Sequence, residues 1–276
     1  LFPTSGITQI PLHFDPQVLR CIAIGPTGRP LTVLLDTGTD PSVIDLHLAR
    51  RLGLRLGDFA LGHSAASDSV PFTETCVPWL RLGDLTLRNL FALALDLRTA
   101  PFEIDMVLGF NVLRQVVLQV DYGQRIITLS HADVAAVQQP TPGTRLPLTF
   151  FEHFPALTDI MLGDGLRVPL ATLDTGSNGG MTLGPDLAAC IGLRNGSGPP
   201  AGQGVCFAGA TTEVWCGTAE TMQIGPLTLR DVEQGAPGMG EGDLRRSGRA
   251  NIGNRLLHRF GRVTLDYERQ LCVLEP

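Results

Sequence analysis

Two stretches of the chain end an apolar run on a carboxylate. Thr32–Ile44 reads TVLLDTGTDPSVI and Leu170–Thr182 reads LATLDTGSNGGMT. In each, an aspartate (Asp36 or Asp174) is followed by Thr-Gly and then by a hydroxyl residue. One such turn is weak evidence, because Asp and Gly are ordinary turn residues. Two of them invite a pair. Carboxylates brought within a few ångströms cannot both ionise cheaply, so one keeps its proton while the other gives its proton up early. Such a pair is an acid and a base together: the ionised member draws a proton from water and the protonated member polarises a carbonyl.

The neighbours suit that chemistry. Gly38 and Gly176 permit a tight turn and leave room beside the carboxylates. Thr37 and Thr175 are stiff at χ1 and can hydrogen-bond across a symmetry axis. Thr39 and Ser177 can donate hydroxyl hydrogens to the carboxylates. The two turns then diverge, Thr39-Asp40 against Ser177-Asn178. Asp40 adds a negative charge on one side only, so the shared proton is expected on Asp36.

The elements that position these turns repeat as well. IPLHF (Ile10–Phe14) returns as LPLTF (Leu146–Phe150), and LRLGDLTLRNL (Leu80–Leu90) as MQIGPLTLRDV (Met222–Val232). The amphipathic Ile44–Leu54 is matched by Gly184–Leu193, and Val107–Leu129 by Asn251–Leu274. Matches in one order over the whole chain mean a duplicated unit. The boundary is expected at Gln138–Thr144, where prolines and a glycine break regular structure, giving lobes of residues 1–139 and 140–276. Short runs of period two predict mainly β-structure. Only two short helices are expected per copy. One is Asp45–Arg51, with Asp186–Ile191 in the second copy; the other is Asn111–Gln115, with Asn254–Arg259, each opened by an Asn N-cap.

These motifs resemble the aspartic peptidases, and best a single-chain, duplicated, retropepsin-like form of bacterial type. LLDTGT and TLDTGS, each followed later by an apolar-Gly step (Val107-Leu108-Gly109 and Asn251-Ile252-Gly253), carry the resemblance over essentially the whole chain. It implies two pseudo-symmetric β-barrel lobes with a cleft between them, a flap over the cleft, and peptide hydrolysis by an activated water. Carried over by motif, Asp36 and Asp174 are the catalytic pair, and Gly109 and Gly253 lie behind them. Thr37, Gly38, Thr39, Thr175, Gly176 and Ser177 are the supporting loops. No metal and no cofactor are implied. The flap tyrosine of pepsin-like enzymes has no counterpart, since Tyr122 and Tyr267 sit in repeated Asp-Tyr steps and read as core or corner residues. Leu61–Phe72 and Gly202–Trp215 are the candidate flaps. The Gly-Arg-Asn/Asp of many retropepsins is replaced by Gly109-Phe110 and Gly253-Asn254, which leaves the bracing of the lobes open.

Composition narrows the partners. The net charge is −6 and all 21 basic residues are arginine, with no basic cluster to follow a phosphate backbone. Nucleic acid is therefore not expected, and no apolar run reaches the length of a membrane span. Six cysteines form no C-x-x-C pair; disulfides and buried free thiols both remain open. The six histidines are scattered, and Trp79 and Trp215 read as core anchors. Gln234–Gly248 has no counterpart in the first copy and reads as a surface insertion. Asn195-Gly196-Ser197 fits a glycosylation sequon. A periplasmic or secreted location is expected from the cysteines and from a start at Leu1. Function reduces to an aspartic endopeptidase acting as a monomer on apolar peptide segments. The alternative is an inactive peptide-binding or inhibitor-type module of the same fold.

Overall fold

A computed structural model of the chain describes residues 6–15, 17–65, 67–137, 143–163, 165–193, 199–205, 211–238 and 247–276. The first half runs β1 (Ile7–Pro11), β2 (Arg20–Ile24), β3 (Pro30–Leu35), β4 (Val43–Asp45), α1 (Leu46–Arg51), β5 (Leu56–Ser64) and β6 (Ser67–Leu82). It continues through β7 (Leu85–Leu95), β8 (Met106–Leu108), α2 (Phe110–Leu113), β9 (Val117–Asp121), β10 (Ile126–Ser130) and α3 (Ala132–Val137). The second half runs β11 (Thr144–Pro147), β12 (Thr149–Phe151), β13 (Phe154–Leu162), β14 (Leu166–Leu173), β15 (Met181–Leu183), α4 (Pro185–Cys190) and β16 (Gly202–Val205). Then follow β17 (Thr211–Ile224), β18 (Leu227–Pro237), β19 (Arg249–Ile252), α5 (Asn254–Leu257), β20 (Arg262–Asp266) and β21 (Leu271–Glu275). The chain is mainly β, as its period-two runs require. Most of the boundary segment, residues 138–142, lies outside the described residues, as do Asn195 and Cys206.

Sheet order repeats between the halves. The first sheet is ordered β2-β3-β8-β4-β7-β6-β5, and the second β13-β14-β19-β15-β18-β17-β16 with β12 added beside β13. In both, the strand before the Asp turn runs parallel to the strand before the apolar-Gly step (β3 with β8, β14 with β19). Backbone detail repeats too. Gly83 and Gly225 both have φ of 53°, closing the hairpins between the long strands. That left-handed conformation is why a glycine recurs there. Asn89 and Asp231, at matched positions in β7 and β18, also share positive φ, at 49° and 52°. Short polar side chains tolerate it best.

A third sheet joins the halves, in the order β1-β10-β9-β20-β21-β11. Its centre is the antiparallel β9–β20 pair, with Val120 opposite Val263 and Leu118 opposite Leu265. The repeated Asp-Tyr strands are therefore hydrogen-bonded to each other, and one continuous apolar core includes residues of both halves. Trp79 and Trp215 are both half-buried, and Trp215 packs against that core.

The helices correct the sequence reading in two respects. Asp45 does cap α1, its Oδ1 accepting from Leu48 N at 2.8 Å. Neither Asn111 nor Asn254 is an N-cap: the caps of α2 and α5 are Gly109 and Gly253. No side-chain cap is needed, because the first helical N–H groups already bond carbonyls of the Asp turns (Phe110 N to Thr39 O and Asn254 N to Ser177 O, both 2.8 Å). The third helix of the first half, Ala132–Val137, was not expected.

Candidate active site

The structure brings the two Asp-Thr-Gly turns face to face. Each follows a buried strand, and each aspartate N–H is held by the strand beside it (Asp36 N to Leu108 O at 3.0 Å, Asp174 N to Ile252 O at 2.9 Å). The threonines lock the turns reciprocally. Thr37 Oγ1 donates to Leu173 O at 2.6 Å, and Thr175 Oγ1 donates to Leu35 O at 2.7 Å. Each hydroxyl oxygen also accepts the other threonine's N–H, at 3.1 and 3.0 Å. All of this is buried, so the position of one turn dictates that of the other.

The glycines set how close the turns come. A Cβ added at Gly38 would lie 2.8 Å from Asp174 Cγ, and one at Gly176 would lie 2.3 Å from Asp36 Cγ. Each glycine thus faces the opposite carboxyl, and only a hydrogen fits. Gly109 and Gly253 pack behind the turns, where a Cβ would meet Thr39 O at 2.4 Å and Gly179 O at 2.5 Å.

The two carboxyls influence each other's ionisation, yet their surroundings differ. Asp36 is 3% exposed. Its Oδ1 accepts from Gly38 N at 2.7 Å and its Oδ2 from Thr39 Oγ1 at 2.6 Å. Burial first, and then the charge of Asp174, push its pKa up to about 8. Asp174 is half-buried; its Oδ1 accepts from Gly176 N (2.9 Å) and Ser177 N (3.0 Å). Its Oδ2 accepts from Asn251 Nδ2 at 2.9 Å. Burial raises the pKa of Asp174 as well, but the Asn251 bond, the Gly176 N–H and the contact with Asp36 oppose that rise. These surroundings favour a proton on Asp36 over Asp174, although not for the reason expected. Asp40 is paired with His153; burial of Asp36 and the amide donor to Asp174 decide the asymmetry.

Ser177 departs from expectation too. Its N–H, not its hydroxyl, serves Asp174, and its Oγ accepts from Gly179 N at 3.2 Å. Asn251 takes the place of the hydroxyl donor. Thr172 Oγ1 donates to Asn251 Oδ1 at 2.7 Å, which turns the amide so that Nδ2 faces Asp174. Its only trace in the sequence is a mismatch between repeats, Val107 against Asn251.

The replaced Gly-Arg-Asn step is also explained. Fully buried Asn254 donates Nδ2–H to Thr175 O at 2.7 Å and accepts from Tyr122 Oη at 2.9 Å. Tyr122 thus ties the first half to the turn that bears Asp174. At the matched place in the other half, Phe110 meets Tyr267 at 6.0 Å between ring centroids and stacks on His153 at 4.8 Å. Phe110 offers no polar atom, and the buried Tyr267 hydroxyl has no hydrogen-bond partner among the described residues. Asn111 does different work: its Oδ1 accepts from Ser42 Oγ at 2.6 Å, and that Oγ in turn accepts from Gly109 N at 3.0 Å.

A pocket of about 140 Å³ opens beside Asp174, lined also by Gly38, Asn251 and Arg249. Ala65, at the tip of the β5–β6 hairpin, closes one side. The first candidate flap is this hairpin. The second is the β16–β17 hairpin, whose tip (206–210) lies outside the described residues, as do residues 239–246 of the insertion.

Residues 23–112 match the family model described as aspartyl protease. The matched stretch runs from β2 through α2, so it includes Asp36 and Gly109 and ends before Asp174. No curated protein matches the chain. The match supports aspartic protease function in general, and with it peptide substrates. Among the described residues no helix is long and apolar enough to cross a membrane, and the five described cysteines are free.

Proposed function

We propose that the chain is an aspartic endopeptidase of two retropepsin-like lobes, catalytic as a monomer because duplication supplies both aspartates in cis. The observation that carries this reading is the meeting of Asp36 and Asp174 on reciprocally locked turns, each carboxyl against the other turn's glycine.

The proton balance follows from the asymmetry. Asp36 holds the shared proton and Asp174 is ionised. A water between them loses a proton to Asp174 as its oxygen bonds the scissile carbonyl carbon, while Asp36 passes its proton to the carbonyl oxygen. The resulting diol collapses when Asp174 protonates the amide nitrogen and Asp36 takes a proton from one hydroxyl. The C–N bond breaks, and the dyad ends as it began, with one proton on Asp36. Carboxylate pairs that share one proton act this way in aspartic proteases. Asn251 steadies the charge on Asp174 before attack, and Thr39 orients Asp36.

The test is cleavage of a peptide library across pH by the wild type, Asp36→Asn and Asp174→Asn. Each variant should lose turnover while keeping the wild-type circular dichroism spectrum. Near-normal turnover by either one overturns the dyad. Tight peptide binding by the wild type without cleavage at any pH would instead identify a binding module.

A further inference from the structure

The pocket beside Asp174 has a polarity that an apolar cleft does not need. Its walls include Phe151, Phe154, Leu183 and Ala250, and its cation is Arg249. Arg249 precedes Asn251 by two residues on β19, so both side chains leave the same face of the strand. One of these neighbours bonds Asp174, and the other lines the pocket that begins there. The guanidinium carbon of Arg249 lies 3.3 Å from the centroid of the Phe151 ring. Stacking fixes the guanidinium by its face, and all of its N–H bonds lie in the plane of its rim. A planar cation held in this way suits a carboxylate, which it can bind through two parallel hydrogen bonds.

The repeat supplies an internal control. The residue matching Arg249 in the first half is Asp105, whose Oδ2 accepts from Thr32 N at 2.9 Å and so serves the framework of its own sheet. The duplicated fold does not require a cation at this position. An acidic peptide approaching the ionised Asp174 in a protein of net charge −6 is repelled; a guanidinium in the adjoining pocket offsets that repulsion at one place.

We propose that this pocket is a carboxylate subsite, and that Arg249 selects peptides carrying a Glu or Asp side chain within two residues of the scissile bond. The inference rests on the peptidase reading of the dyad. It replaces the expectation of purely apolar flanking residues with one acidic residue among apolar ones.

The experiment compares peptides that differ only as Glu, Gln or Lys at each flanking position, at pH 6–7, where a peptide Glu is ionised. Binding to Asp36→Asn is read by fluorescence anisotropy, and kcat/KM is read on the wild type. At one position Glu should exceed Gln by about tenfold or more in both readouts, the scale of one charge-assisted contact. Arg249→Gln should remove that preference, and Arg249→Glu should turn it towards Lys. Equal handling of Glu and Gln by the wild type overturns the subsite even if neither variant folds. A preference that follows a free rather than an amidated C-terminus also overturns it, since the anion recognised would then be the main-chain carboxylate. Glu-selective binding without cleavage by the wild type retains the subsite and overturns the peptidase reading, so the two failures are distinguishable.

Discussion

Asn251 donates to Asp174 Oδ2 at 2.9 Å, whereas Val107, at the matched position of the first half, has nothing to donate to Asp36. One amide thus makes a near-symmetric pair of carboxyls unequal. A donor that bonds the charged form lowers a carboxyl pKa. Asn251→Val removes that effect and should raise the pKa of Asp174, moving the acidic limb of the pH–rate profile upward. Turnover at the optimum should fall about tenfold or more, the scale of one charge-assisted hydrogen bond. An unmoved acidic limb would show that the amide does not set the ionisation of the pair.

The raised pKa of Asp36 makes stability depend on pH. Folded Asp36 keeps its proton up to about 8, while in the unfolded chain it loses that proton near the ordinary value of about 4. Between these limits the folded state binds the extra proton, so the contribution of Asp36 to stability is full below about 4 and is lost as pH rises through 8. Asp36→Asn abolishes this loss. The variant should match or fall below the wild type at pH 4 and exceed it by roughly 1 kcal/mol or more at pH 8. Thermal unfolding of both proteins across that range reads the crossover. Parallel curves would place the pKa of Asp36 near normal.

Hydrolysis should share the upper limit. Activity requires one proton on the pair, so it should fall as pH rises past about 8, where Asp36 ionises. A pH profile of kcat/KM tests this, and a profile still rising at pH 9 would assign the proton elsewhere.

Gly176→Ala places a methyl group 2.3 Å from Asp36 Cγ. The carboxyl is short and buried, so the turns must part. A displacement of about 1 Å at reacting groups costs on the order of 100-fold in rate, and the overpacking costs about 1–3 kcal/mol in stability. The matching contact at Gly38 is looser, 2.8 Å, so Gly38→Ala should be the milder of the two. Kinetics on both variants should preserve that order.

The two repeated tyrosines should answer differently to loss of a hydroxyl. Tyr122→Phe leaves the Oδ1 of buried Asn254 without its donor and should cost about 1–2 kcal/mol. Tyr267→Phe removes a buried hydroxyl with no hydrogen-bond partner among the described residues, so it should be neutral or slightly stabilising. Denaturant unfolding of the pair measures the difference; equal losses would mean that both tyrosines serve only as packing.

Much of the fold was legible because local rules govern it. Period-two runs became strands, and the matched Leu80–Leu90 and Met222–Val232 became hairpins, each closed by a glycine of positive φ. The repeat located both Asp turns, and the chemistry of Thr37 and Thr175 anticipated their reciprocal bonds. Asn111 and Asn254 were misread as caps, since capping was argued from the helix alone while its N–H partners lie on a turn more than fifty residues away.

By itself, then, the sequence determined that the chain is mainly β, that its motifs recur in one order, and that it writes one acidic turn twice. Those features depend on residue type and spacing along the chain. Only the tertiary structure decided that the two carboxyls are unequal, because burial of Asp36 and the reach of Asn251 arise when distant strands converge. The same holds for Arg249. In the chain it is one arginine among 21; folding sets it two residues from Asn251 on a shared strand face, over Phe151, in the pocket that Asp174 opens.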